Sequence, residues 1–212
     1  MAIHTEEIKT KSLEADRSDP PGKIKIAGAL KTLLEEKDFN SITTAEIART
    51  SGVNEALIYR YFNDKRGLLH HLLSEYLRES ESQMGSYIEG DERVAEKMRR
   101  IIWHTFNTYN RNRIFAKILL IEVRNFHGYF ESETYRLAKE YSHIVLNLIK
   151  EGIENGEIRD DIAPWYIMQM VLGGVEHLIL PSLIFDKELD VDSATDHLCE
   201  ILMDGVAKKR VQ

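Results

Sequence analysis

Between Thr43 and Tyr61 the chain gathers side chains that hydrogen-bond to anions: the hydroxyls of Thr43 and Thr44, the phenols of Tyr59 and Tyr61, and the guanidinium of Arg60. A guanidinium fork matches a phosphate or the edge of guanine, and threonines opening a helix present a hydroxyl together with unpaired backbone N–H groups to a phosphate. Bond-making chemistry has no comparable cluster. Eight histidines are present, yet there is no nucleophile elbow, phosphate loop, His-Glu-x-x-His or Cys-x-x-Cys. His70 and His71 are neighbours that point apart on a helix, and His143 and His177 would meet only through tertiary structure. The single cysteine, Cys199, excludes an intramolecular disulfide and any multi-cysteine zinc site. We expect no catalytic residues, no metal and no cofactor.

The elements that must position these donors are helical. Strand signals are scarce and helical periodicity runs through nearly the whole chain, which predicts an all-α fold of about nine helices. Ile26, Leu30, Leu33 and Leu34 mark one face of a supporting helix that stops near Phe39-Asn40. Thr43 or Thr44 caps a short helix with Glu46 in its first turn, and Ser51-Gly52-Val53 breaks it, because glycine accepts the left-handed backbone of a sharp turn. Asn54 caps a second short helix running through Tyr61, and Asn63-Asp64 caps a third that begins at Lys65. Two short helices joined by a tight glycine turn after a longer support form a helix-turn-helix. In this arrangement Glu55, Ala56 and Leu57 occupy the first turn of the helix that would enter a major groove, and Arg60 lies one turn on. Ile47, Ala48, Val53, Ile58 and Phe62 are expected to pack inward.

Downstream, helices are expected over 68–87, 91–110, 113–126, 132–154, 164–180 and 193–207. The fifth stops before Pro181, and the segment 113–126 is apolar around much of its circumference, as a central helix is. Residues 1–20 read as a polar arm, 21–67 as the helix-turn-helix domain and 68–212 as a second, helical domain.

Composition fits a folded chain of one or two domains: 43% apolar and 30% charged over 212 residues. The net charge of −7 hides an asymmetry, since residues 22–67 carry eight Lys/Arg against six acids and the remainder is strongly acidic. A mildly basic head on an acidic body suits contact with DNA through one face. No leader is evident, and the most apolar stretch, 166–185, contains Gln169, Glu176, His177 and Pro181, which suit a helical interface better than lipid. A cytoplasmic protein without a membrane span is expected.

From Ile42-Thr43-Thr44-Ala45-Glu46-Ile47-Ala48, through Ser51-Gly52-Val53-Asn54, to Leu57-Ile58-Tyr59-Arg60-Tyr61-Phe62-Asn63-Asp64-Lys65 and Leu68-Leu69, the sequence resembles the TetR family of transcriptional regulators. The Tyr-x-Tyr-Phe-x-x-Lys tail is the most specific part of the likeness. The resemblance implies a DNA-binding repressor, with Lys65 on the phosphate backbone and Thr43, Thr44, Glu55, Ala56, Leu57, Tyr59, Arg60 and Tyr61 at or near the DNA. Leu57 departs from the family, which often has a small hydroxyl residue there, as Ala56 does from its frequent glycine; Leu57 would read a thymine methyl or leave a phosphate contact missing.

The resemblance also implies a homodimer through 164–180 and 193–207, a palindromic operator whose half-sites lie about 34 Å apart, and a small-molecule effector in the C-terminal helices. Gly173-Gly174 in an apolar helix supports close helix approach, since each glycine costs about 1 kcal/mol relative to alanine. Pocket candidates are the large walls Trp103, Phe106, Tyr109, Phe126, Tyr135, Met168 and Met170, with Glu122, Arg124 and His177 as orienting groups. Such walls favour a hydrophobic effector, and Leu120-Ile121-Glu122-Val123-Arg124 is similar to members that sense fatty acyl compounds. The competing reading is an all-helical small-molecule or protein-binding module without specific DNA binding, which leaves the Thr43–Lys65 pattern without a purpose.

Overall fold

The computed structural model describes residues 19–206, so most of the expected arm and Ala207 lie outside the described residues. Nine α-helices occur among the described residues: α1 (Pro21–Glu36), α2 (Thr44–Ser51), α3 (Ala56–Phe62), α4 (Lys65–Ile88), α5 (Val94–Arg111), α6 (Arg113–Lys117), α7 (Glu133–Glu154), α8 (Pro164–Phe185) and α9 (Val191–Val206). The chain divides into two compact units, with the boundary inside α4 between Leu69 and His70.

In the first unit α1 starts on Pro21, whose fixed φ suits a first helical position. It lays Ile26, Leu30, Leu33 and Leu34 against α2 and α3, and Phe39, Ile42, Ile47, Ile58, Phe62, Leu68 and Leu69 complete the core. Local hydrogen bonds set the short helices. The Glu46 N–H donates to Thr43 Oγ1 at 3.1 Å, the Ala56 N–H to Asn54 Oδ1 at 2.8 Å, and the Gly67 N–H to Asp64 Oδ1 at 2.7 Å. Gly52, at φ 67°, ends α2, and Val53 N–H returns to the Ala48 carbonyl at 3.2 Å.

In the second unit α5 is the central helix. Val94, Met98, Ile101, Ile102 and Phe106 pack against residues of α7, α8 and α9. Two expectations are corrected here. The segment 113–126 is not one helix: α6 ends at Lys117 and gives way to a π-turn over Ile118–Glu122 and a 3-10 turn over Val123–Asn125. An apolar surface on all sides cannot be buried by one straight helix against one neighbour, and a π-turn changes which way successive residues face. The helix beginning at Pro164 does not stop at Leu180 but passes through Pro181 to Phe185. Pro181 has no N–H to donate to the His177 carbonyl, but both residues are exposed. Burial of Ile179, Ser182 and Leu183 secures the extra turn, and Arg113 ties it from α6 by donating to the Ser182 carbonyl and to Asp186. By length and composition α8 would also span a bilayer, at a mean hydropathy of 1.5, but its inner face belongs to the core of this unit.

Candidate nucleic-acid face and ligand cavity

The start of α2 and the outer side of α3 meet where Thr44 Oγ1 lies 3.5 Å from the Tyr59 hydroxyl. Thr43, Ala56, Tyr59 and Arg60 are exposed, with Tyr59 at 53%. The Thr43 oxygen already accepts from the helix, which leaves its O–H proton for an outside acceptor. Arg60 holds its guanidinium 5.9 Å from the Tyr61 ring centroid. Lys25, Lys31, Arg49 and Arg66 are further exposed cations of this unit; Lys37 pairs with Glu46, which Arg49 also approaches to 3.9 Å, and the Lys37 hydrogen bond holds that carboxyl below the usual range.

Four of the expected contacts face differently. Leu57 and Tyr61 lean on the first turn of α1: a Cβ added at Gly22 would sit 3.6 Å from each. Leu57 is thus partly committed to packing. Glu55 is half-buried before α3. Lys65 turns inward, donating to the Phe39 carbonyl at 2.9 Å and the Ile42 carbonyl at 2.6 Å, with its ammonium 4.3 Å from the Phe39 ring centroid. Burial, then the nearby Arg66 charge, lowers its pKa.

The second unit encloses a cavity of about 450 Å³, within the range of small-molecule sites. Leu77, Leu119, Leu120, Leu137, Leu172 and Val175 form its apolar wall, with five tyrosines (Tyr76, Tyr109, Tyr129, Tyr135, Tyr141) and Phe130. Its polar groups are ordered. Thr105 Oγ1 donates to the Ile101 carbonyl at 2.7 Å and lies 2.6 Å from the Tyr141 hydroxyl, and Tyr76 donates to the Thr108 carbonyl at 3.2 Å. Arg124 grips Glu176 through both terminal nitrogens, at 2.9 and 2.5 Å, joining the 3-10 turn to α8. Burial pushes Tyr141 up to about 12 and Tyr76 higher still. Glu81, also on the wall, is raised by burial and then by Glu140.

Of the expected pocket residues, Tyr109 and Tyr135 line this cavity, as does Arg124. The others lie elsewhere. Trp103 donates Nε1–H to Asp192 at 2.7 Å and pins α5 to α9; Phe106 and Met168 are in the core. Glu122 is half-buried in the π-turn, Phe126 stands edge-on to His70, and Met170 and His177 are exposed on α8. Tyr76, Thr105, Tyr129, Tyr141 and Glu176 also line the cavity and are not among the expected pocket residues; the available signal was hydroxyl-bearing residues recurring on apolar helical faces and, for Glu176, an acid inside the most apolar stretch.

A model of bacterial regulatory proteins of the tetR family matches residues 26–72, and a model of the YsiA-like protein C-terminal region matches residues 73–205. The chain is 23% identical over 189 residues to the fatty acid metabolism regulator protein of Bacillus subtilis, covering 89% of this chain and 97% of that one. Its fold is similar to that of the transcriptional regulator FadR from Bacillus subtilis in complex with stearoyl-CoA, with a TM-score of 0.77, 22% identity, and coverage of 86% and 98%. It is similar also to the fatty acid degradation regulator FadR from Bacillus halodurans, with a TM-score of 0.76, 20% identity, and coverage of 88% and 97%.

Proposed function

The chain belongs to the TetR family of DNA-binding transcriptional regulators, which are not enzymes, and from that premise we propose that it is a homodimeric, cytoplasmic repressor released from its operator by a fatty acyl effector. The cavity carries this reading. It offers a mostly apolar wall with a few ordered polar groups in the region covered by the YsiA-like match, and a relative of similar fold is seen in complex with stearoyl-CoA.

The homodimer reading is supported by what α8 and α9 leave uncovered. Tyr166, Met170, Ile184, Phe185 and Ile201 are large apolar side chains on these two helices, with Met170 at 62%, Phe185 at 68% and Ile201 at 72% exposed. Apolar groups grouped on one pair of helices favour a self-complementary interface, as in a four-helix bundle. Two-fold symmetric heads fit a palindromic operator, with the exposed Thr43, Tyr59 and Arg60, and the half-buried Thr44 beside Tyr59, as the contacts. The effector acts to the extent that it binds the DNA-incompetent state better than the competent one.

The test is fluorescence anisotropy on duplexes selected for binding, titrated with salt and then with stearoyl-CoA. Tight, salt-sensitive binding that stearoyl-CoA reverses is expected. Binding to no duplex above the nonspecific background would return the chain to an all-helical binding module, and an operator complex indifferent to stearoyl-CoA would sink the acyl effector.

A further inference from the structure

Three tyrosines on α4, α5 and α7 share the cavity wall, and two have committed their phenol protons. Tyr76 donates to the Thr108 carbonyl. Thr105 spends its only proton on the Ile101 carbonyl, so in its 2.6 Å bond with Tyr141 the phenol must be the donor. Tyr109, one turn beyond Thr105 on α5, lines the same cavity, and among the described residues its hydroxyl has no hydrogen-bond partner. The residue is half-buried, and the sealed side-chain polar atoms without a partner among these residues are those of Ser74 and Ser182, so the Tyr109 hydroxyl is a donor that opens into the cavity and is available to whatever fills it. Burial pushes this phenol well above the ordinary tyrosine range, so it stays a protonated donor.

The charges beside it define the acceptor. Arg124 and Glu176 line the cavity and act electrostatically on Tyr109. Both are partly exposed, which puts them at the rim. Each terminal nitrogen of Arg124 is already bonded to a Glu176 oxygen. An incoming carboxylate would have to break that pair or face the Glu176 charge. Lys139, another cation on the wall, is exposed to solvent, where a charge is screened. A neutral carbonyl satisfies the phenol and disturbs neither partner. Its place near the rim suits a carbonyl at the head of a chain whose tail fills the apolar interior.

Resting on the acyl-effector reading above, we propose that Tyr109 is the specificity-determining residue of the cavity, donating a hydrogen bond to the neutral carbonyl of an esterified acyl chain, while the Arg124–Glu176 pair turns the free acid away.

Three probes on the full chain test this: stearoyl-CoA, its thioether S-octadecyl-CoA, which lacks only the carbonyl oxygen, and stearate. Wild-type protein is expected to bind the thioester about 10-fold more tightly than the thioether, and stearate more weakly than the thioester. Tyr109→Phe should lose that 10-fold on the thioester and nothing on the thioether. Glu176→Gln, by releasing Arg124, should raise affinity for stearate. A wild-type thioester-to-thioether ratio near one overturns the carbonyl contact without recourse to any variant. Equal weakening of both CoA probes in Tyr109→Phe also overturns it, since packing alone explains such a loss. Stearate binding as tight as the thioester, or unmoved by Glu176→Gln, removes the charge filter. If the wild type binds neither CoA probe, the acyl-effector reading itself has failed; if it binds both alike, only the role of Tyr109 has.

Discussion

The ammonium of Lys65 donates to the main-chain carbonyl of Ile42 at 2.6 Å, reaching from the first residue of α4 to the segment just before α2. With the second bond to Phe39 it holds the chain that leads into Thr43, so any effect of Lys65 on DNA binding is expected to run through the position of the α2 N-terminus. Hydrogen bonds to charged groups are worth about 1.5–3 kcal/mol, less at a half-buried site. Lys65→Ala is therefore expected to destabilise the protein by about 1–2 kcal/mol and to weaken operator binding. Its slope of log affinity against log salt should match that of the wild type, whereas loss of a phosphate contact would reduce the slope by about 1. Parallel salt titrations of the two proteins decide the matter.

Gly67 has a similar structural role. A Cβ there would lie 1.9 Å from the Phe62 carbonyl oxygen, a backbone atom that cannot move aside cheaply. Asn63, at φ 70°, makes this tight passage from α3 into α4. Gly67→Ala should cost at least about 2 kcal/mol, despite the better helix propensity of alanine. Asn63→Gly should be neutral or mildly stabilising, because glycine accepts positive φ freely. Urea denaturation of both variants measures the contrast.

The exposed apolar face of α8 and α9 makes its own prediction. Met170→Glu combined with Ile201→Glu places charges at positions 62% and 72% exposed, so the protomer should keep its fold. Sedimentation velocity should show a monomer in place of a dimer, and operator affinity should fall by at least about 100-fold as the second half-site is lost. A variant that remains dimeric would direct attention to another face.

Acid sensitivity follows from Glu133, in the first turn of α7. It accepts from Arg136 and from Arg78, each at 2.6 Å, and these arginines, Arg136 foremost, hold its carboxyl at about 2 instead of 4.5. A folded-state pKa below the unfolded one gives stability that is complete above the unfolded value and lost as pH falls from 4.5 through about 2. The carboxylate is 38% exposed, so screening keeps the contribution within about 1 kcal/mol. Glu133→Gln should be less stable than the wild type near neutral pH and equal to it near pH 2, as denaturation across that range would report.

What could be read directly from the residues was local. The caps at Thr43, Asn54 and Asp64 close hydrogen bonds over two or three residues, and Gly52 answers a backbone conformation that few other residues accept. Those interactions need no partner from elsewhere in the chain, so the helix-turn-helix and its outward donors Thr43, Tyr59 and Arg60 were legible. The π-turn after Lys117 and the passage of α8 through Pro181 were not, because burial of particular side chains outweighed local preference there. Phe106 and Tyr109 sit three residues apart on α5, one in the core and one on the cavity wall. Periodicity marks both as inward-facing and cannot tell closed packing from open space. That difference arises from how α4, α7, α8 and the broken segment after α6 leave a gap around α5. Likewise, the direction of Lys65 was decided by two carbonyls 23 and 26 residues earlier in the chain. Residue types specify which hydrogen bonds and contacts are possible; only the packing of distant helices decides which of them are already taken, and which, like the Tyr109 hydroxyl, remain open to a ligand.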